Sequence, residues 1–222
     1  PTFVPAQGKK GPPGAQREMS HHPLNQATAQ MENTGVKCTL QQITGFTDGE
    51  LDVVMEFFHQ KNFKKKTTII EIGEVANEVF FVVKGCLRLY CWKDGQELST
   101  YFFTENTFAG TYDSFISRKP TRIAMEALED SIVLALSYQS LETLYEVFPK
   151  MNEFVRKSIE QRFVVLHDLF TSYLLNSPEE RYVKLLSESP ELLHRIPQHQ
   201  IASFLGVTPV SLSRIRNRVA KK

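Results

Sequence analysis

Gln198-His199-Gln200-Ile201-Ala202-Ser203-Phe204-Leu205-Gly206-Val207-Thr208-Pro209-Val210-Ser211-Leu212-Ser213-Arg214-Ile215-Arg216-Asn217-Arg218 is the stretch on which the reading of this chain turns. Two short helices that cross at a steep angle need a small residue where they touch and a glycine in the turn between them. They also need apolar residues on the buried side of each. With Gln198 as position one, Ala202 fills the crossing position and Gly206 the turn. Ile201, Leu205, Val207, Leu212 and Ile215 fill the apolar positions. Thr208 suits the N-cap of the second helix, and Pro209 its first turn. The spacing predicts a helix-turn-helix, the arrangement that lays its second helix in the major groove of double-stranded DNA. A plain helical hairpin would use the same glycine and cap, and stands as the alternative.

Charge favours the first reading. The whole chain of 222 residues is nearly neutral, with 26 basic and 25 acidic residues. Residues 36–175 carry a net −4, whereas residues 176–222 carry a net +4. Gly206–Lys222 holds Arg214, Arg216, Arg218, Lys221 and Lys222 with no acidic residue, a local source of phosphate attraction. On a helical wheel Leu212, Ile215 and Val219 point inward, while Val210, Ser213, Arg214, Asn217 and Lys221 point out. Together with Thr208, Pro209, Ser211 and Arg218 these form the candidate DNA-contact set.

Upstream, Ser177-Pro178-Glu179-Glu180 is a capping box with proline in the first turn, opening the domain 176–222; Leu185 and Leu186 are its expected core. Before it, a helix is expected from Pro149 to Leu175. Val155, Ile159, Phe163, Leu166, Phe170 and Tyr173 make one apolar stripe along it, with Leu169 and Leu174 beside them. A stripe of that length buries itself against a partner helix or along its own domain; the first option makes 149–175 a dimerisation helix.

Between Thr67 and Ser137 the texture is β. Thr67–Ile72 is β-branched and ends at Gly73; Val79–Val83 ends at Lys84-Gly85; Leu87, Leu89 and Cys91 alternate with Arg88, Tyr90 and Trp92. Lys93-Asp94-Gly95-Gln96 is a hairpin signal. Short strands closed by glycine turns predict a small antiparallel barrel or roll within 36–148. Ahead of it, Leu51, Val54, Met55 and Phe58 have helical spacing over Asp48–Asn62. Residues 1–35 hold five of the eleven prolines and one aromatic, Phe3, and are expected to be a disordered leader or an added segment, with Met19 and Met31 as alternative natural starts. The adjacent His21 and His22 suit a tag or tail better than a metal site.

No apolar run reaches the roughly 20 residues that a membrane span requires. The three cysteines, Cys38, Cys86 and Cys91, are too few for a four-cysteine metal site and odd in number for a disulfide framework. A soluble, reducing, cytoplasmic setting is expected. A metal enzyme on a small barrel would want histidines lining it, and all six histidines lie outside Thr67–Ser137. Neither a Gly-x-Ser-x-Gly nucleophile nor a phosphate loop is present, so no catalytic residue and no metal are expected.

In this order, β roll, long helix and helix-turn-helix resemble the Crp/Fnr transcription regulators over about residues 40–222. The likeness is greatest to a subgroup in which Ala127-Leu128-Glu129-Asp130, Glu180-Arg181-Tyr182, Ile201–Gly206 and Leu212–Arg216 have counterparts. The resemblance implies an α+β fold: an N-terminal double-stranded β-helix or jelly roll, the cyclic-nucleotide-binding-like domain, then the dimerisation helix and the DNA-binding domain. It implies a homodimer on a near-palindromic operator, with RNA polymerase as a further partner. The family's wing hairpin after the recognition helix is expected to be missing, because four residues follow Arg218.

The family's nucleotide cassette runs Phe-x-Gly-Glu, with Arg-Ser-Ala ten residues on. Here Phe108 and Gly110 match, but Thr111 takes the glutamate position and Thr121 the arginine position. Arg122 sits one place along, which on a strand faces the other way, and Asp113 would repel a phosphate. Cyclic AMP is therefore not the expected effector, and cyclic AMP or GMP is the alternative reading. Thr111, Tyr112, Ser114 and Thr121 are candidates to bind another small molecule, or else the pocket is filled by side chains. No cofactor is implied: an iron–sulfur sensor would need more cysteines near Cys38, and a haem sensor would have only Cys86 or Cys91 as axial ligand. The family's base-reading Arg, Glu and Arg fall on Pro209, Val210 and Arg214, so the operator is expected to differ from the family's best-known site.

Overall fold

The computed structural model describes residues 45–221, together with positions 35, 37–39, 41 and 42 ahead of them. The expected leader, with His21, His22 and both candidate start methionines, lies outside the described residues except for Gly35.

Helix α1 (Asp48–Met55) opens on a capping box in which Thr47 and Glu50 bond each other's backbone. It buries Leu51, Val54 and Met55 against the roll. The roll consists of β1 (Phe58–Phe63), β2 (Thr68–Ile70), β3 (Glu78–Lys84), β4 (Leu87–Lys93), β5 (Gln96–Phe103), β6 (Phe108–Ala109), helix α2 (Tyr112–Ser117), β7 (Ala124–Ala127) and β8 (Ser131–Ser137). Its strands form two four-stranded antiparallel sheets, ordered β1-β8-β3-β6 and β2-β7-β4-β5. The core between them is aromatic: Phe80, Phe81, Phe103 and Phe115 are almost fully enclosed. Each such ring stabilises the fold by roughly 1.5–3 kcal/mol.

The expected hairpin joins β4 to β5. Asp94 and Gly95 both take positive φ, 52° and 75°, the conformation that matches strand twist in a two-residue turn. At Gly85, φ is 111° and an added Cβ would lie 2.2 Å from Ser131 Oγ, so only glycine fits.

Two expectations for this half are corrected. The helix expected to run on to Asn62 ends at Met55. From Phe58 the chain pairs with β8, Phe58 opposite Leu136, because sheet pairing overrides the local helical spacing. The roll therefore begins before Thr67, and His59 lies on it, so the expectation of a barrel without histidine does not hold. His59 is half-exposed, 3.9 Å from Glu78, and no group of three metal-binding side chains forms among the described residues.

Helix α3 (Tyr138–Val147) leads to the long α4 (Lys150–Leu175). Four further helices follow: α5 (Pro178–Glu188), α6 (Pro190–Arg195), α7 (Gln198–Phe204) and α8 (Pro209–Val219). The capping box at Ser177 and Glu180 forms as expected. Leu185 packs on the helical core, but Leu186 is exposed, since α5 turns that position to solvent. The α5–α8 core is not self-contained. Tyr182, Ile196, Ile201, Ala202, Leu205, Leu212 and Ile215 share it with Cys86, Phe102 and Leu128 of the roll.

Candidate functional site

The hairpin α7–α8 is built as its sequence dictates. Ala202 is fully buried at the crossing, and Gly206 has φ 68°. Ile201, Leu205, Leu212 and Ile215 are buried and Val207 half-buried. Thr208 Oγ1 accepts a hydrogen bond from the Ser211 amide at 3.2 Å, which caps α8. The outer side of α8 is open: Thr208, Pro209, Val210, Ser213, Arg214, Asn217, Arg218 and Lys221 are exposed, and Ser211 is half-buried. Lys221 lies beyond the helical residues, in the turn that follows Val219. Arg214 has no ion pair among the described residues, whereas Arg218 stands 3.4 Å from Glu179 of α5. Arg214 and Arg218 also line a cleft between α8 and the capped end of α5 at Ser177.

Along α4, Phe163 (68 % exposed) and Phe170 (61 %) head a stripe with Ile159, Leu166 and Tyr173, and Leu174 continues it. Val155 departs from the expected set, packing against the roll's core. Leu169 also turns inward, half-buried, towards α5 and α7.

The cassette region is largely self-satisfied. Ser114 Oγ, on the short α2, accepts from the Ala76 amide at 3.0 Å and donates to the Lys119 carbonyl at 2.5 Å. Thr121 Oγ1 accepts from the Ile123 amide and donates to its carbonyl. Phe108 packs edge-on to Phe81 and Phe154, Gly110 lies against Val79, and Tyr112 stacks on Phe115. Thr111 is 2 % exposed, and its hydroxyl has no partner among the described residues. Arg122 is exposed as expected, but it lies in a bend rather than a strand. Thr111 and Thr121, at the positions expected to correspond to the cassette's glutamate and arginine, are uncharged.

Sequence reasoning missed the seam between roll and helices. In the sequence Arg88 is one of the alternating residues of β4, yet it is 1 % exposed. It pairs with Glu97 at 2.5 Å and Glu126 at 2.6 Å, donates to Ser99 Oγ, and lies over the Tyr90 ring. Helix α7 closes over this group. Gln200 reaches Glu126 at 3.5 Å, and Ser203 Oγ accepts from the Ser99 amide and donates to the Glu97 carbonyl. Burial raises the Glu126 pKa above its ordinary value, with the Arg88 charge opposing. Nearby, burial pushes the Cys86 thiol up to about 12, so it is a thiol, and a poor ligand or nucleophile, at neutral pH. The acidic residues Glu97 and Glu126 were visible in the sequence, but nothing local to Arg88 marks the helix that arrives more than 100 residues later.

Residues 60–147 match the cyclic nucleotide-binding domain family. Three solved structures share the fold over most of both chains. FixK2 from Bradyrhizobium japonicum has a TM-score of 0.66 at 20 % identity, covering 74 % of this chain and 85 % of its own. The c-di-GMP responsive global regulator CLP from Xanthomonas campestris has a TM-score of 0.64 at 16 % identity, covering 79 % and 92 %. A double mutant of CooA from Carboxydothermus hydrogenoformans has a TM-score of 0.62 at 18 % identity, covering 76 % and 79 %. Among curated protein sequences none matches the chain significantly. The chain thus shares the α+β fold of these structures, a β roll followed by a long helix, and the roll is the part that matches the cyclic nucleotide-binding domain family. Among the described residues no helix is long and apolar enough to cross a membrane.

Proposed function

We propose that the chain is a dimeric, sequence-specific DNA-binding transcription regulator of the Crp/Fnr type and not an enzyme. The observation that carries this reading is the outer face of α8: a capped helix held by Leu212 and Ile215, offering Val210, Ser213, Arg214 and Asn217 to solvent beside a run of basic residues. A helix so mounted fits a major groove. The apolar stripe on α4 supports a second copy as partner, since an exposed run of large apolar side chains on one helix marks an interface. Two α8 helices related by a two-fold axis would then read half-sites about one helical turn apart on a near-palindromic operator. RNA polymerase is the further partner, and the cytoplasm the compartment.

The effector in this reading is a small molecule other than cyclic AMP. The match of residues 60–147 to the cyclic nucleotide-binding family favours cyclic AMP or GMP as a second reading. Against it, Thr111 and Thr121 stand where an acidic and a basic group would hold ribose and phosphate. The deciding experiment is selection of bound fragments from a randomised DNA pool by the full chain, followed by anisotropy over a salt series. A two-fold symmetric consensus and affinity falling with salt are expected. Equal affinity for every fragment would overturn the reading.

A further inference from the structure

We propose that the loop between β1 and β2, Lys64-Lys65-Lys66, is a second DNA contact, which holds the phosphate backbone flanking each operator half-site. The proposal deepens the regulator reading and rests on it, but it concerns the roll rather than the helix-turn-helix. Residues 36–175 carry a net −4, yet these three consecutive residues are all basic and all exposed. Like charges side by side repel one another, and a polyanion relieves that repulsion while releasing its own counterions.

The loop is held in one shape. The Lys65 amide donates to the Asp130 carboxylate at 2.9 Å, the Lys66 amide to the Ala127 carbonyl at 2.7 Å, and the Thr67 amide to the Lys64 carbonyl at 3.0 Å. Lys66 has φ 69°, a left-handed conformation that glycine adopts without strain and lysine does not. A lysine kept where glycine would sit unstrained is accounted for by its charge. Asp130 is matched by Lys64, whose Nζ lies 2.8 Å away. The neighbouring acids of β7 and its turn are also committed, Glu126 to Arg88 and Glu129 to Arg195. Lys65 and Lys66 have no ion pair among the described residues, although Asp130 is close enough to feel the Lys65 charge.

Sheet order puts this loop beside the helix-turn-helix. Helix α7 lies across the sheet β2-β7-β4-β5: Phe204 meets Phe102 of β5, Ser203 bonds the Ser99 amide of β5, and Gln200 reaches Glu126 of β7. Followed back towards its first residue, α7 therefore runs from β5 towards β2. Thr68 of β2, two residues after Lys66, is paired with Glu126. In a helix-turn-helix the first helix crosses the DNA backbone while the second enters the groove. Backbone that continues past the first turn of α7 thus meets the lysine loop next.

The test uses the full chain and the consensus duplex selected from a randomised pool. The duplex is cut to about 20 bp, which two half-sites one turn apart occupy, or extended by about 10 bp of unrelated sequence on each side. Anisotropy at about 0.1 M salt should show wild type binding the long duplex at least about fivefold more tightly than the short one. Lys65→Gln with Lys66→Gln should erase that preference, leave the short duplex and the consensus unchanged, and reduce the salt slope on the long duplex by about 2–4 units for a dimer. Lys65→Arg with Lys66→Arg keeps the charges and should keep the preference. Thermal melts check the fold, and Lys65→Gln alone, which leaves the left-handed Lys66 in place, should lose about half of the preference on a logarithmic scale. No length preference in wild type, a preference that survives in both glutamine variants, or an equal loss on both duplexes would each overturn the proposal and leave the regulator reading standing. A wild-type chain that binds neither duplex removes the regulator reading, and this contact with it.

Discussion

Arg195 of α6 and Glu105, in the turn after β5, face each other as a bidentate ion pair, Nη1 and Nη2 lying 2.8 and 2.9 Å from the two carboxylate oxygens. Arg195 also bonds Glu129 of the roll. With Phe102 against Phe204 and Ser203 on the β5 backbone, the pair sets where the C-terminal helices sit on the roll. Whatever moves this seam moves α8.

Arg195→Ala strands two carboxylates at the seam. Removing one partner of a charged hydrogen bond costs about 1–3 kcal/mol, and the pair is partly solvent-screened, so about 1–2 kcal/mol is expected here. For a chain of this length that lowers Tm by roughly 2–8 °C. The pH dependence has a definite sign. Burial works against ionised Glu105, but the bonds from Arg195 and the Gly85 amide outweigh it and lower the carboxyl's pKa below 4.5. The stabilisation is therefore full above that value and is lost as pH falls through the lower folded one. Thermal melts from about pH 6 to 3 should show wild type losing more of its stability than Arg195→Ala; parallel losses would mean the pair is not what holds the seam.

The stripe on α4 gives a prediction about assembly. Leu166→Glu with Phe170→Glu puts two charges among Ile159, Phe163 and Tyr173, which are exposed in the single chain. The double variant should be monomeric by light scattering, still melt cooperatively but with a Tm that does not depend on protein concentration, and lose operator binding. A dimer mass that does not change would place the interface elsewhere.

Gly206 isolates backbone strain from packing. Its φ of 68° is left-handed, but an added Cβ would meet only Tyr173 at 3.6 Å and Arg181 at 3.7 Å, both ordinary contacts. Gly206→Ala should therefore cost about 1–2 kcal/mol, from strain alone. Chemical denaturation reads this directly, and a loss above about 4 kcal/mol would show that the hairpin has been disrupted rather than strained.

Calorimetry with cyclic AMP at physiological salt should show no micromolar binding. Thr111 supplies no negative charge for the ribose, Thr121 has its hydroxyl committed to Ile123, and Arg122 is turned to solvent.

Those elements that could be read from the sequence are the ones specified by neighbours along the chain. The caps at Ser177 and Thr208, the Asp94-Gly95 turn and the Ala202/Gly206 pair each act within a few residues, and each forms where expected. Phe58 is not legible as a strand residue, because four apolar residues at helical spacing cannot announce a partner more than 70 residues away at Leu136. The burial of Arg88 is hidden for the same reason: Gln200 and Ser203, which cover it, carry no periodic signal tying them to β4. The outward residues of α8 were legible; the seam that orients them was not.

Base reading by α8 is the last expectation. Arg214 is exposed on the outward face and has no ion pair among the described residues, so its fork is available to guanine O6 and N7, a contact worth about 1–3 kcal/mol of discrimination. Arg218 shares its charge with Glu179 at 3.4 Å and is turned towards α5, which suits a phosphate contact better than a base edge. Lys221, past the last helical residue, should also reach phosphate. Selection from a randomised DNA pool should return, for Arg214→Ala, a consensus flattened at one base pair in each half-site. For Lys221→Ala it should return the wild-type consensus, with affinity lowered for all sequences alike and the salt slope reduced by about one unit for each phosphate no longer neutralised. Glu179→Gln frees Arg218 and should strengthen binding without altering the consensus. If Arg214→Ala returns the wild-type consensus at lower affinity, Arg214 contacts phosphate, and sequence is read by Val210, Ser213 and Asn217 instead.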